Sequence, residues 1–259
     1  TESASASCEK ADLATIEDGV LTIATGEPAY YPWVIDDAPE SGEGFEAAVA
    51  YAVATQLGFS KDEVKWVRTT FDGAVTPGEK NFDFNLQQFS INDERKKTVS
   101  FSASYYSTNQ AVVALADSPA IGATTVADLK DVKFGAQAGT TSLDFITNVI
   151  KPSAEPFAYD DNAGAKAALE AKQIDAIVVD LPTAFYIAAV ELTGASVVGQ
   201  FPASASTTPD NFGLVFDLDN PLVSCVDTAL AALKDNGTLA EIEKTWLADK
   251  TNAPVIAVS

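Results

Sequence analysis

Short apolar runs alternate with stretches of helical periodicity along nearly all of this 259-residue chain, and that alternation restricts the fold more than any other feature. Residues 20–24 form a β-rich run after Gly19, closed by Gly26 and Pro28. An aromatic turn, Tyr30-Tyr31-Pro32-Trp33, and an acidic Gly/Pro loop lead to Gly44. Phe45, Val49, Val53 and Leu57 then recur at four-residue spacing before Gly58, which predicts a helix with a glycine stop. Strands are predicted over 64–68, 82–89, 112–115, 132–137, 175–180 and 213–216. Helices are predicted over 126–129, 143–150, 163–171, 182–192 (Pro182 in its first turn), 221–234 and 238–247, with 202–209 a connector. Strand followed by helix, repeated, implies mainly parallel sheets covered by helices on both faces.

The length exceeds one typical domain and suits two lobes of roughly 100–150 residues. A net charge of −21 argues against nucleic acid or anionic lipid surfaces as partners. The chain has no histidine, which removes Ser-His-Asp and Cys-His mechanisms and ordinary zinc chemistry; neither a metal nor a cofactor is expected. Apolar runs are too short and interrupted to span a bilayer. No methionine stands even at position 1, so the chain is expected to be processed or trimmed, with any signal peptide already removed. The Ser/Ala-rich stretch 1–7 reads as a flexible linker. Cys8 and Cys225 lie too far apart for a CxxC motif, leaving one long-range disulfide or two buried thiols.

Three places carry chemistry suited to a small zwitterion. Arg95 follows the polar turn Ser90-Ile91-Asn92-Asp93-Glu94, and a forked, permanently charged guanidinium suits bidentate capture of a carboxylate. A lone arginine at such a turn is more often a surface residue. Gly139-Thr140-Thr141-Ser142 follows a strand and opens a helix, where free N–H groups favour an anion; ordinary helix capping is the plainer reading. Asp180 ends a predicted strand, where ligands of open α/β sheets gather, or it caps the next helix.

The segment from Asp83 to Tyr106, DFNLQQFSINDERKKTVSFSASYY, resembles a signature of the amino-acid-binding subfamily of periplasmic-type solute-binding proteins, the extracytoplasmic receptors of ABC importers. The turn at Gly139 and the run Gln173-Ile174-Asp175-Ala176-Ile177-Val178-Val179-Asp180 resemble two more of its motifs, and the likeness runs from about residue 21 to 247. It implies a two-lobe type II periplasmic-binding-protein fold. Lobe 1 would comprise 1–107 with 211–259 returning to it, and lobe 2 would comprise 108–210, with hinge crossings near 107–109 and 208–212. Closure of the lobes would capture one polar or basic L-amino acid for a transporter permease, without catalysis.

By resemblance, Arg95 takes the ligand carboxylate together with Gly139, Thr141 and Ser142, and Asp180 takes its ammonium; Asp175 is structural. Tyr30 and Phe71 would sandwich the ligand side chain, while Trp33 belongs to the core. Gln87, Gln88 and Phe89 would narrow the pocket, the two glutamines and Ser90 being among the ligand contacts, and Gln137 would point into it. Asn92 stands where relatives place a threonine, and its side chain could replace that hydroxyl. Glu27 either reads a cationic side chain or is a solvated loop residue. The resemblance also implies a monomer outside the cytoplasm, periplasmic or tethered by a lipid anchor beyond this chain on a Gram-positive surface, and it favours a Cys8–Cys225 bond. A dehydratase-type enzyme on the same fold and the sensing domain of a receptor are the alternatives.

Overall fold

The computed structural model describes residues 8–204, 207–247 and 253–258. The 1–7 linker expectation and part of the 202–209 connector therefore lie outside the described residues. In chain order the elements begin β1 (Leu21–Gly26), α1 (Phe45–Gln56), β2 (Val64–Thr69), α2 (Phe71–Val75), β3 (Phe84–Asn85), β4 (Ser100–Phe101), β5 (Tyr106–Thr108) and β6 (Gln110–Leu115). Next come β7 (Phe134–Gln137), α3 (Thr141–Phe145), β8 (Phe157–Tyr159), α4 (Asn162–Glu170), β9 (Ala176–Asp180), α5 (Leu181–Tyr186) and β10 (Ala195–Phe201). The chain continues through β11 (Asp210–Phe212), β12 (Val215–Phe216), α6 (Leu222–Asp235) and α7 (Thr238–Leu247).

The chain divides into two compact units, Thr1–Tyr106 with Asn211–Ala248, and Ser107–Asp210 with Asp249–Ser259. The first two boundaries fall after Tyr106 and after Asp210, and the strands there, β5 and β11, pair as a two-stranded sheet. The C-terminal segment departs from expectation, since it belongs to unit 2 rather than lobe 1. Within unit 2, Gln200 donates its N–H to Pro254 (2.7 Å) and accepts from Ile256 (2.9 Å), and Ile256 is buried. A Cβ on Gly199 would lie 2.6 Å from the Ile256 side chain, so a glycine is what lets the tail approach.

Unit 1 is built on a five-stranded sheet of order β2-β1-β3-β12-β4. β1 pairs in parallel with β2 and β3, while β12 is antiparallel to both β3 and β4. All six residues of β1 are buried, as expected of a central strand covered on both faces. The predicted periodicity of α1 holds: Phe45, Val49, Val53 and Leu57 are all core residues. The helix stops at Gly58 (φ +86°), where Phe59 N–H reaches the Ala54 carbonyl (2.9 Å) and Gly58 N–H the Thr55 carbonyl (3.0 Å), a Schellman closure. Cys8 is bonded to Cys225 of α6, whose buried face also carries Leu222, Val226, Ala229, Leu230 and Leu233. The disulfide thus lies within unit 1.

Unit 2 carries a second five-stranded sheet, order β10-β6-β9-β7-β8. Here β6 is antiparallel to β10 and β9, and β7 is parallel to β9 and β8. Both sheets are therefore mixed, not mainly parallel. Side chains alternate between two cores. Val112, Ala114, Ala176 and Val178 face one cluster with Leu129, Phe134 and Ile146; Ala111, Val113, Ile177 and Val179 face another with Leu169 and Ala184. Burial on both faces explains why these strands read as unbroken apolar runs.

Several predicted elements change. The 82–89 strand shrinks to β3, and Gln88 beyond it adopts a left-handed backbone (φ +51°) incompatible with continued extension. The predicted 143–150 and 182–192 helices each become a short α-helix followed by a π-helical turn, Ile146–Ile150 and Ile187–Glu191. Strands β8 and β10 lie where the pattern gives none; β8 spans only three residues, and β10 is interrupted by a register shift between Val197 and Gly199.

Candidate functional site

In unit 1, Arg95 opens a 3-10 turn, Arg95–Lys97, with 8% of its surface exposed. Its Nη1 donates to the Ser90 carbonyl (2.8 Å), and its backbone N–H donates to Asn92 Oδ1 (2.8 Å). Asn92 therefore serves as a local turn cap, a use the sequence does not separate from ligand contact. The guanidinium carbon lies 5.2 Å from the centroid of the Phe71 ring, which stacks on Phe89 at 4.7 Å. The Ser90 carbonyl and the Phe71 ring both meet the fork of Arg95, with Ser90 itself buried. Phe71 thus meets Arg95 and the core.

Tyr30 shapes its turn, its carbonyl accepting from Trp33 N (3.0 Å) and Val34 N (2.9 Å). Trp33 is fully buried and meets Phe45, Tyr106 and Phe212 edge-on, which makes it core as expected. Glu27 is exposed. Gln87 accepts from the Thr69 hydroxyl (3.3 Å). Gln88 is tied to Glu46 of α1. Its N–H donates to Glu46 Oε1 (2.8 Å) and its Nε2 donates to Glu46 Oε2. Glu46 is buried, also accepts from the Tyr105 hydroxyl, and has a carboxyl pushed up from 4.5 to about 7 by loss of solvent, only partly offset by these donors. Glu46 anchors the turn that precedes Ser90, a role its place in an apolar helix hides. Asp83 is structural too, its two oxygens accepting from Ile16 N (2.8 Å) and Thr22 N (2.7 Å).

In unit 2, Gly139 has φ +71°, a backbone that favours glycine. Thr140 caps α3, accepting from Leu143 N (3.2 Å) while donating to the Gln137 carbonyl (2.7 Å). The plain capping reading thus holds for Thr140. Thr141 and Ser142 begin the helix, and Gln137 ends β7. Ser142 donates from Oγ to Gln110 Oε1 (2.7 Å).

Asp180 sits at the end of β9 and makes no capping hydrogen bond to α5, so capping does not account for its side chain. Instead its Oδ1 accepts from Gln110 Nε2 (3.2 Å), which also donates to Asp210 Oδ2 (2.7 Å). Asp175 pairs with Lys133 through its backbone N–H (2.8 Å) and its Oδ2 (2.9 Å), consistent with a structural role. Gln110 and Asp210 were not legible as site residues. The only hint is a polar side chain opening the apolar run QAVVAL.

The arrangement offers a buried guanidinium fork in unit 1, and in unit 2 a carboxylate beside a glycine turn and a hydroxyl. No base–nucleophile pair is needed to describe it. Residues 21–249 match the family model of the bacterial extracellular solute-binding proteins, family 3. The chain is 27% identical to the L-arginine-binding protein of Pseudomonas aeruginosa over 226 residues, 85% of either chain. It is 28% identical to the L-cystine-binding protein TcyJ of Escherichia coli K12, covering 89% of this chain and 83% of that one. Among solved structures, an ancestral arginine-binding protein bound to glutamine superposes with a TM-score of 0.74 at 28% identity, over 90% of this chain and 100% of the other. Sequence, fold and these likenesses agree: the chain belongs to the bacterial extracellular solute-binding proteins, family 3.

Proposed function

We propose that this protein captures a polar or basic L-amino acid outside the cytoplasm and delivers it to an ABC importer. Arg95 takes the α-carboxylate with the Gly139–Ser142 turn, Asp180 takes the α-ammonium, and closure of the two units about β5 and β11 retains the ligand. Tyr30 and Phe71 flank the side chain, and Glu27 meets a cationic end. The observation that carries this reading is Arg95, whose fork is held at 8% exposure by the Ser90 carbonyl and the Phe71 ring. A guanidinium fork fixed in orientation suits bidentate capture of a carboxylate. The relatives support the ligand class, since two of them are named for binding arginine and cystine and one holds glutamine.

A thermal-shift screen of the standard amino acids tests the reading. A true ligand at 100 times its Kd adds about 2.7 kcal/mol of stability. Arginine, lysine, glutamine or cystine is the expected hit, and a flat screen overturns the proposal. Incubation with prephenate or arogenate, followed by assay for an aromatic product, separates a dehydratase from a carrier. A monomeric state and a lipid anchor on the native protein belong to the same reading. Sedimentation and the mass of cell-derived protein test them.

A further inference from the structure

Gln110 opens β6, is 3% exposed, and stands directly opposite Asp180 in the antiparallel register. Its amide makes three contacts: Oε1 accepts from Ser142 of α3, and Nε2 donates to both Asp180 and Asp210. The orientation is fixed by charge, because the flipped amide would turn its oxygen toward two carboxylates. Asp210 comes from β11, a strand separated from Gln110 by 100 residues. One neutral side chain therefore joins β6, β9, α3 and a connecting strand. A carboxylate that accepts from a buried donor loses rotational freedom, and a second carboxylate on the other N–H locks the amide itself.

Resting on the proposed function, we propose that Gln110 is the positioning residue of unit 2. It fixes the rotation of Asp180 toward the ligand ammonium and holds Asp180 at a set spacing from Ser142. Asp210 in turn holds Gln110, so the connecting strand is tied to the ammonium end of the site. Gln110 need not touch the ligand. Its loss should be felt by the ammonium above all, since that is the group Asp180 receives.

Calorimetric titration with L-arginine, and with 5-guanidinopentanoic acid, which lacks the α-ammonium, tests this. Should another standard amino acid be the wild-type ligand, it and its deaminated analogue replace them. Gln110→Met keeps length and burial but cannot donate; it should weaken the amino acid about tenfold, the worth of a hydrogen bond to a charged group, and leave the analogue within about twofold. Asp210→Ala should give a smaller loss with the same preference for the ammonium. Asp210→Asn should restore binding, because it keeps an acceptor oxygen for Gln110. If Gln110→Met fails to fold, the Asp210 pair decides. Affinity unchanged in Gln110→Met, or equal loss for both ligands, or no recovery in Asp210→Asn, overturns the inference while the proposed function stands. A wild-type protein that binds no amino acid overturns both.

Discussion

The two units hold their charged candidates by contrasting means. In unit 1, Arg95 is gripped by its own loop: Ser90 lies five residues away and Asn92 three. Its guanidinium also lies over the Phe71 ring. In unit 2, Asp180 depends on Gln110, 70 residues distant, and through it on Ser142 and Asp210. A grip made within one turn survives as long as that turn does. A grip assembled from four elements requires all of them to dock, and it transmits the state of each to the others. Unit 1 thus holds a guanidinium through its own turn, whereas unit 2 holds a carboxylate through contacts between distant segments.

The largest expected effect lies in unit 1. Its two ends are joined by Cys8–Cys225 across 217 residues, and the chain-entropy model credits such a loop with about 5 kcal/mol as an upper bound. Cys8→Ala with Cys225→Ala should lower the denaturant midpoint by a corresponding amount while leaving ligand affinity near wild type. Intact mass that rises by two alkyl groups without reductant would show that no bond exists.

Next in size, Arg95→Ala and Asp180→Ala should each weaken amino-acid binding by roughly 2–5 kcal/mol, because each leaves a buried ligand charge unpaired. The comparison predicts a further difference. Replacing Asn92, the local cap of Arg95, should cost less than replacing Gln110, and calorimetry on Asn92→Ala reverses the comparison if the order is inverted.

Glu46 sharpens the contrast through pH. Its carboxyl sits at about 7 in the folded chain against 4.5 ordinarily. Between those values the folded state binds the extra proton, so stability falls as pH climbs from about 5 to about 7. The full difference approaches about 3 kcal/mol. Unfolding curves at pH 5 and pH 8 should show this slope, and Glu46→Gln should flatten it; an unchanged slope in the variant removes Glu46 as its source. The smallest effect concerns Phe71. Phe71→Leu should weaken arginine by ~0.5–1 kcal/mol more than glycine, and equal loss would mean the ring only supports Arg95.

Much of the surroundings of Arg95 was readable because the grip is local. The turn residues Ser90 and Asn92 stand beside Arg95 in the chain, and Phe71 follows a strand visible from its own pattern. The bond of Gln88 to Glu46 was hidden, because nothing in the spacing links this glutamine to a helix residue 42 positions earlier. In unit 2 the glycine turn and the end of β9 were legible from spacing. Gln110 was not, since a polar residue at a strand's start has no partner that one-dimensional spacing can name. The tail's return to unit 2 was equally hidden. Residues 253–258 are short and carry no periodicity, and their place is decided by Ile256 fitting against Gly199.

The sequence alone determined much of the strand–helix order and the helix stop at Gly58. Each rests on interactions within about ten residues or on periodic burial, which the chain displays in order. Only the tertiary structure decided which strands run antiparallel, that the tail joins unit 2, and that Gln110 binds Asp180, Asp210 and Ser142 together. Those outcomes depend on contacts between segments tens of residues apart, chosen by packing and by the need of buried polar groups for partners.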